Sequence, residues 1–134
     1  MVLLLILAGL LSLSKNLQKY VSSGNVVAAG KVIVIDSGHG GDDPGKVSAS
    51  GIKEKDINLA ITLKCKSILE QNGIKVILTR SDDRSLEDSG ASNKKASDLK
   101  NRKSLIKESQ INCAISIHQN SFPDSSSHGT QVFY

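Results

Sequence analysis

The chain has 134 residues, 39% of them hydrophobic and 22% charged, which allows one domain and excludes a disordered tail, a collagen-like repeat and a multi-span membrane protein. Aromatic residues make up 3% and tryptophan is absent, so the core must be aliphatic. The formal net charge of +4 favours anionic partners mildly, but acidic residues are interspersed with basic ones, and this argues against nucleic acid, whose binders gather Lys and Arg on one face.

At the N-terminus, Val2 to Leu13 is an apolar run broken only by Gly9 and Ser12. A spanning helix needs about 20 apolar residues, so the run fits the hydrophobic region of an export signal or a short membrane anchor. Ser22-Ser23-Gly24-Asn25 reads as a linker and Val27-Ala28-Ala29 as a stretch that could be cut. The expected organisation is 1–29 as signal or anchor plus linker, with membrane association through residues 2–13, and 30–134 as the folded domain.

From Lys31 the pattern becomes regular. Val32-Ile33-Val34-Ile35 is a β-branched run without polar alternation, which predicts a strand buried on both faces. A glycine-rich loop follows, Gly38 to Gly45. From Glu54 to Asn72 apolar residues recur at Ile57, Ala60, Ile61, Ile68 and Leu69, a helical spacing with Gly73 as the stop. Ile74 to Thr79 predicts a second strand, and Arg80 to Lys94 a polar excursion. A second helix over Ala96 to Ser109 and a third strand over Ile111 to Ile117 follow, then the start of a fourth strand over Gly129 to Tyr134. Cys65 and Cys113 are too few for a disulfide scaffold and read as small core residues. This order predicts an α/β fold, an open and mainly parallel sheet with flanking helices.

In such sheets ligands gather at the carboxyl ends of the strands. His39 lies just past the first strand and His118 directly follows the third; Glu54 opens the first helix and projects toward the same rim. Two imidazoles and one carboxylate are the open-site ligand set of catalytic zinc. Each residue also has an ordinary reading: His39 as a turn residue, Glu54 as a charge that complements the helix dipole, His118 as a donor to a carbonyl. The glycine loop resembles phosphate-binding loops but lacks the Gly-Lys-Ser/Thr ending and the GxGxxG fingerprint. A sharp turn that aims His39 inward is the simpler use of its glycines.

Five segments, VIVIDSGHGGDDPG (32–45), GIKEKDINL (51–59), VILTR (76–80), SIHQN (116–120) and GTQVFY (129–134), appear in an order that resembles the zinc-dependent N-acetylmuramoyl-L-alanine amidases of the bacterial cell wall, closest to members associated with sporulation and germination. The resemblance covers 31–134. It implies hydrolysis of the amide between N-acetylmuramic acid and L-alanine in peptidoglycan, possible only outside the cytoplasmic membrane: in the cell wall, the spore cortex or at a membrane anchor. It also implies Zn2+ held by His39, Glu54 and His118, with Asp36 and Asn120 as supporting or substrate-contacting residues, and it leaves room for a protein partner without naming one. Arg80 and Arg102 are either contacts for acidic stem-peptide groups or structural ion pairs. The family's general-base glutamate is matched by no residue up to Tyr134, so no catalytic base is assigned, and the catalytic domain, with its closing strand and helix, is expected to be incomplete. The alternative is a non-catalytic zinc-containing module that binds peptidoglycan or a partner.

Overall fold

The computed structural model describes residues 30–122 and 126–134. The apolar run at 2–13, and with it the expected signal or anchor, lies outside the described residues. Among those described, no helix is long and apolar enough to cross a membrane.

The β-branched run forms β1, Val32–Ser37, at the centre of a three-stranded sheet of order β2-β1-β3, flanked by β2, Lys75–Leu78, and β3, Cys113–Ile117. Both pairings are parallel, and each parallel pair requires a crossover, here helix α1, Glu54–Gln71, and helix α2, Lys94–Glu108. Val34, Ile35 and Val76 are the buried apolar side chains among the described residues, so the core is aliphatic, as the composition demands, and it is small. Ser37 pairs with Ile117, and Gly38 N–H continues the ladder to the Ile117 carbonyl at 3.0 Å. The carboxyl ends of β1 and β3 are therefore level, which puts whatever follows each strand on one rim.

One helix end and one helix start have identifiable chemistry. Gly73, at φ 75°, donates to the Glu70 carbonyl while Ile74 donates to that of Leu69, the paired bonds of a Schellman ending that only a left-handed residue supports cheaply. At the start of α2, Asn93 caps the Ala96 N–H at 3.0 Å.

One helix packs by a face its spacing does not announce, and two expectations are corrected. The apolar stripe of α1 does not face the sheet: Ile57, Ala60, Ile61 and Ile68 are exposed, and the buried positions are Glu54, Lys55, Asn58 and Thr62. Periodicity identifies a face but not its direction, and the inner face of α1 lies over the polar rim of β1 and its loop, where hydrogen-bonding side chains are needed. Residues 129–134 form no strand. Alternation becomes a strand only when N–H and C=O groups join a ladder, and the outer edge of β3 carries no partner among the described residues. Cys65 is half-buried and Cys113 exposed, both as free thiols, because Cys113 opens an edge strand whose first four residues are all exposed.

Candidate metal centre

Beyond β1 the chain must turn sharply and still present a side chain inward. His39 achieves this in the left-handed region, at φ 62°, a conformation uncommon outside glycine. Asp43 holds it there: His39 Nδ1 lies 2.8 Å from Asp43 Oδ2. Since the carboxylate only accepts, Nδ1 carries the proton in this bond, and in the neutral ring Nε2 keeps its lone pair. Nε2 is 3.2 Å from Glu54 Oε1.

Glu54 is placed by a reciprocal clip. Its N–H donates to the Lys46 carbonyl at 2.8 Å, and the Lys46 N–H donates to its Oε2 at 2.9 Å. Oε1 in turn accepts the Gln119 N–H at 2.9 Å. Burial opposes ionisation of this carboxyl, but the two backbone donors, the nearby His39 and the Asn58 amide outweigh it and bring the pKa down to about 2. The group that sequence reasoning could take for one charge in a solvated patch is therefore buried and anionic.

His118 directly follows β3 and is about half exposed, with Nδ1 3.2 Å from the same Glu54 Oε1. Its ring meets that of His39 edge to face, centroids 4.8 Å apart. Gly38 makes this approach possible, because a Cβ there would stand 2.3 Å from His118 Cε1. One donor atom each from His39, Glu54 and His118 lies within 4.8 Å of the others. Ligand atoms about 2.0–2.2 Å from one tetrahedral zinc are separated by about 3.3–3.6 Å, and both imidazole–carboxylate separations, at 3.2 Å, lie close to the lower end of that range. The donor types and two edges of the triangle fit that ion.

Two buried guanidinium groups brace the loop. Arg80 donates to the carbonyls of Ser37, Gly38 and Lys55, and Arg102 to those of Ser37 and His39. At 1% and 5% exposure, both are structural and neither can reach a peptide ligand. Asp36 sits beneath the loop and accepts from Arg102, Thr79 Oγ1 and Ser116 Oγ; among the described residues it bonds to none of the three converging side chains. The Asn120 amide bonds to Gln131 Oε1. Sequence reasoning missed Asp43, the partner of His39, although a carboxylate four residues past a histidine in a turning loop was a signal. It also missed Asn58, which donates to the Gly38 carbonyl at 3.2 Å and accepts from the Gln119 side chain at 3.1 Å.

Comparison with known proteins follows the same residues. The family model described as N-acetylmuramoyl-L-alanine amidase matches residues 33–134. The chain is 39% identical over 109 residues to the germination-specific N-acetylmuramoyl-L-alanine amidase of Bacillus subtilis (strain 168), covering 79% of this chain and 46% of that protein. Against the amidase AmiA of Escherichia coli (strain K12) it is 34% identical over 103 residues, 77% of this chain and 32% of the other. Among solved structures, the CwlD amidase from Clostridioides difficile, in complex with the GerS lipoprotein, superposes with a TM-score of 0.69 at 46% identity, over 72% of this chain and 52% of that one. The catalytic domain of CwlV from Bacillus (Paenibacillus) polymyxa var. colistinus gives 0.60 at 43% identity, over 72% and 49%. The chain thus spans about half the length of the relatives it matches, or less.

Proposed function

The chain belongs to the N-acetylmuramoyl-L-alanine amidase family, and from that membership we propose that it serves zinc-dependent hydrolysis of the amide between N-acetylmuramic acid and L-alanine in peptidoglycan, with spore cortex as the substrate its germination-specific relative suggests. The observation that carries the reading is the convergence of His39, Glu54 and His118 on one rim. A zinc ion held by these three would supply Lewis-acid polarisation of the scissile carbonyl and a lowered pKa for water. The chain's own residues do the rest of what is proposed here. Glu54, ionised throughout the physiological range, supplies the negative charge. Asp43 fixes which nitrogen of His39 faces the centre, and the buried arginines hold the loop carbonyls so that the imidazole keeps its aim. Metal holding and substrate orientation are the roles proposed for residues 30–134, and no general base is assigned among them.

The same reading puts the protein outside the cytoplasmic membrane, with 1–29 as its signal or anchor. It also includes a protein partner, supported by the CwlD neighbour, which is seen in complex with a lipoprotein.

The test is direct. The zinc-loaded chain is incubated with purified peptidoglycan, and new L-alanine amino termini are counted against a metal-stripped control. Because no general base is assigned among these residues, the expected release above that control is slow, about 10²–10⁴-fold below base-assisted hydrolysis. Zinc and muropeptide binding without release identifies a non-catalytic binding module instead. Unchanged zinc content in both His39→Ala and His118→Ala overturns the ligand assignment.

A further inference from the structure

Basic and acidic residues are interspersed along the sequence, but folding separates them on α2. Its six basic and two acidic residues account by themselves for the chain's formal net charge of +4. Three of the six cations are occupied: Arg102 is buried and bonds to Asp98, Asp36 and the loop carbonyls, Lys94 pairs with Asp42 at 2.7 Å, and Lys95 acts on Asp43. Lys100, Lys103 and Lys107 are exposed and make no hydrogen bond or ion pair among the described residues. Spaced i, i+3 and i+7, they share one side of the helix over about 10 Å. Leu99, 58% exposed, and the half-buried Ile106 stand in the adjoining row. The acids lie elsewhere: Asp98 faces inward to Arg102, and Glu108 is in line with Asn101, one heptad before it. Lys100 also acts on Asp88, but both oxygens of that carboxylate are held by Asn101 and Ser97. Like charges three and four residues apart oppose helix formation. On α1, Lys66 is matched by Glu70 one turn on; α2 leaves its three outward lysines unmatched.

We propose that this face of α2 docks on an anionic lipid surface, with Lys100, Lys103 and Lys107 among the headgroup phosphates and Leu99 at the boundary with the acyl chains. The long lysine stems let the ammonium groups stay with the headgroups while an apolar neighbour sinks below them. A cluster of lysines on one helix face is complementary in charge to a bilayer that carries negative lipids. Nucleic acid fits less well. Its sites use arginine forks and aromatic platforms, whereas the one arginine of α2 is buried and the helix has no aromatic residue. A soluble anionic polymer would match the lysines but gives the exposed Leu99 nothing to enter. The proposal goes beyond the amidase reading and does not depend on it.

Co-sedimentation of the full chain with vesicles tests it, using phosphatidylcholine alone and phosphatidylcholine with about one-third phosphatidylglycerol. An apolar segment partitions into both alike, so the ratio of the two affinities reads the charged face. The wild type favours the anionic vesicles, and raising the salt shrinks the preference. Lys100→Gln/Lys103→Gln/Lys107→Gln lowers the ratio by about fivefold for each lysine, on the order of 100-fold together, and Lys100→Arg/Lys103→Arg/Lys107→Arg keeps it. Lys31→Gln/Lys64→Gln/Lys75→Gln removes the same charge from exposed positions elsewhere and lowers the ratio far less, because distant charges are screened. Leu99→Ser weakens binding to the anionic vesicles severalfold. Circular dichroism checks that each variant keeps its helices. Equal binding of the wild type to both vesicles, or equal losses in the two glutamine variants, overturns the docking face. Single-stranded DNA bound as tightly as the anionic vesicles, or full vesicle binding by Leu99→Ser, overturns the lipid assignment.

Discussion

Arg102 Nη1 lies 2.7 Å from Asp36 Oδ1 across a sequence separation of 66, and the other arm of the same guanidinium donates to the His39 carbonyl at 2.8 Å. One buried side chain on α2 thus joins the end of β1 to the backbone of a proposed metal ligand. Removing it leaves the Asp36 charge without its cation in a buried setting, a loss of about 3–5 kcal/mol. Arg102→Ala is therefore strongly destabilised in urea unfolding, and it binds zinc more weakly because the His39 loop loses its anchor. Arg102→Lys recovers only part of both, since a single ammonium cannot reach the Asp36, Ser37 and His39 oxygens together.

The Asp36 carboxyl also gives the fold an acid limit. Burial pushes its pKa up, but bonds from Ser116, Arg102 and Thr79 outweigh that and hold it below the ordinary value of 3.8. A value lowered on folding contributes stability that is fully present above the unfolded pKa and is lost as pH falls through the folded one. Asp36→Asn is accordingly less stable than wild type near neutrality, and the gap closes as the pH drops below about 4. Denaturant midpoints for both proteins near neutrality, at about pH 5 and at about pH 3 measure this; a gap independent of pH would refute the coupling.

Gly38→Ala separates folding from site geometry. The new Cβ would stand 2.3 Å from the His118 ring, and Gly38 is not among the glycines with positive φ, so the backbone itself accepts alanine. Overpacking of this kind costs about 1–3 kcal/mol, and here it is borne by the imidazole that must move. Zinc affinity falls by roughly tenfold or more while the circular dichroism spectrum is retained.

Asp43 is an orienting residue and its removal reads out on the metal. Asp43→Ala frees His39 Nδ1 from its 2.8 Å partner, and loss of such a partner typically weakens metal binding about 10–100-fold. Asp43→Asn, whose carbonyl still accepts from Nδ1–H, restores most of the affinity. Competition with a chromogenic chelator measures both variants.

The fold and the convergence of His39, Glu54 and His118 were legible in the sequence for a topological reason. Parallel strands end on the same side, so a histidine just past one strand and a histidine just past its neighbour meet wherever the strands are adjacent. What the sequence did not disclose is directional. Ile57, Ala60, Ile61, Ile68 and Leu69 recur at helical spacing, yet all but the half-buried Leu69 point outward, because the pattern carries no information on what α1 packs against. Arg80 and Arg102 read either as peptide contacts or as structural groups until their bonds show every arm engaged. Asp43 was hidden by its company: between Gly41 and Pro44 an aspartate looks like turn chemistry, and only the reversed backbone at His39 brings the two side chains together.

Facing α1 inward with Glu54, Asn58 and Thr62 has a consequence for how the helix grips the sheet. Aliphatic packing tolerates small rolls and slides at little cost, whereas bonds to the Gly38 carbonyl, the Lys46 amide and the Gln119 amide are lost together if the helix rotates by a fraction of a turn. The carboxylate is consequently pre-aimed, and the entropy of gathering its share of the donor set is met during folding and not when an ion arrives.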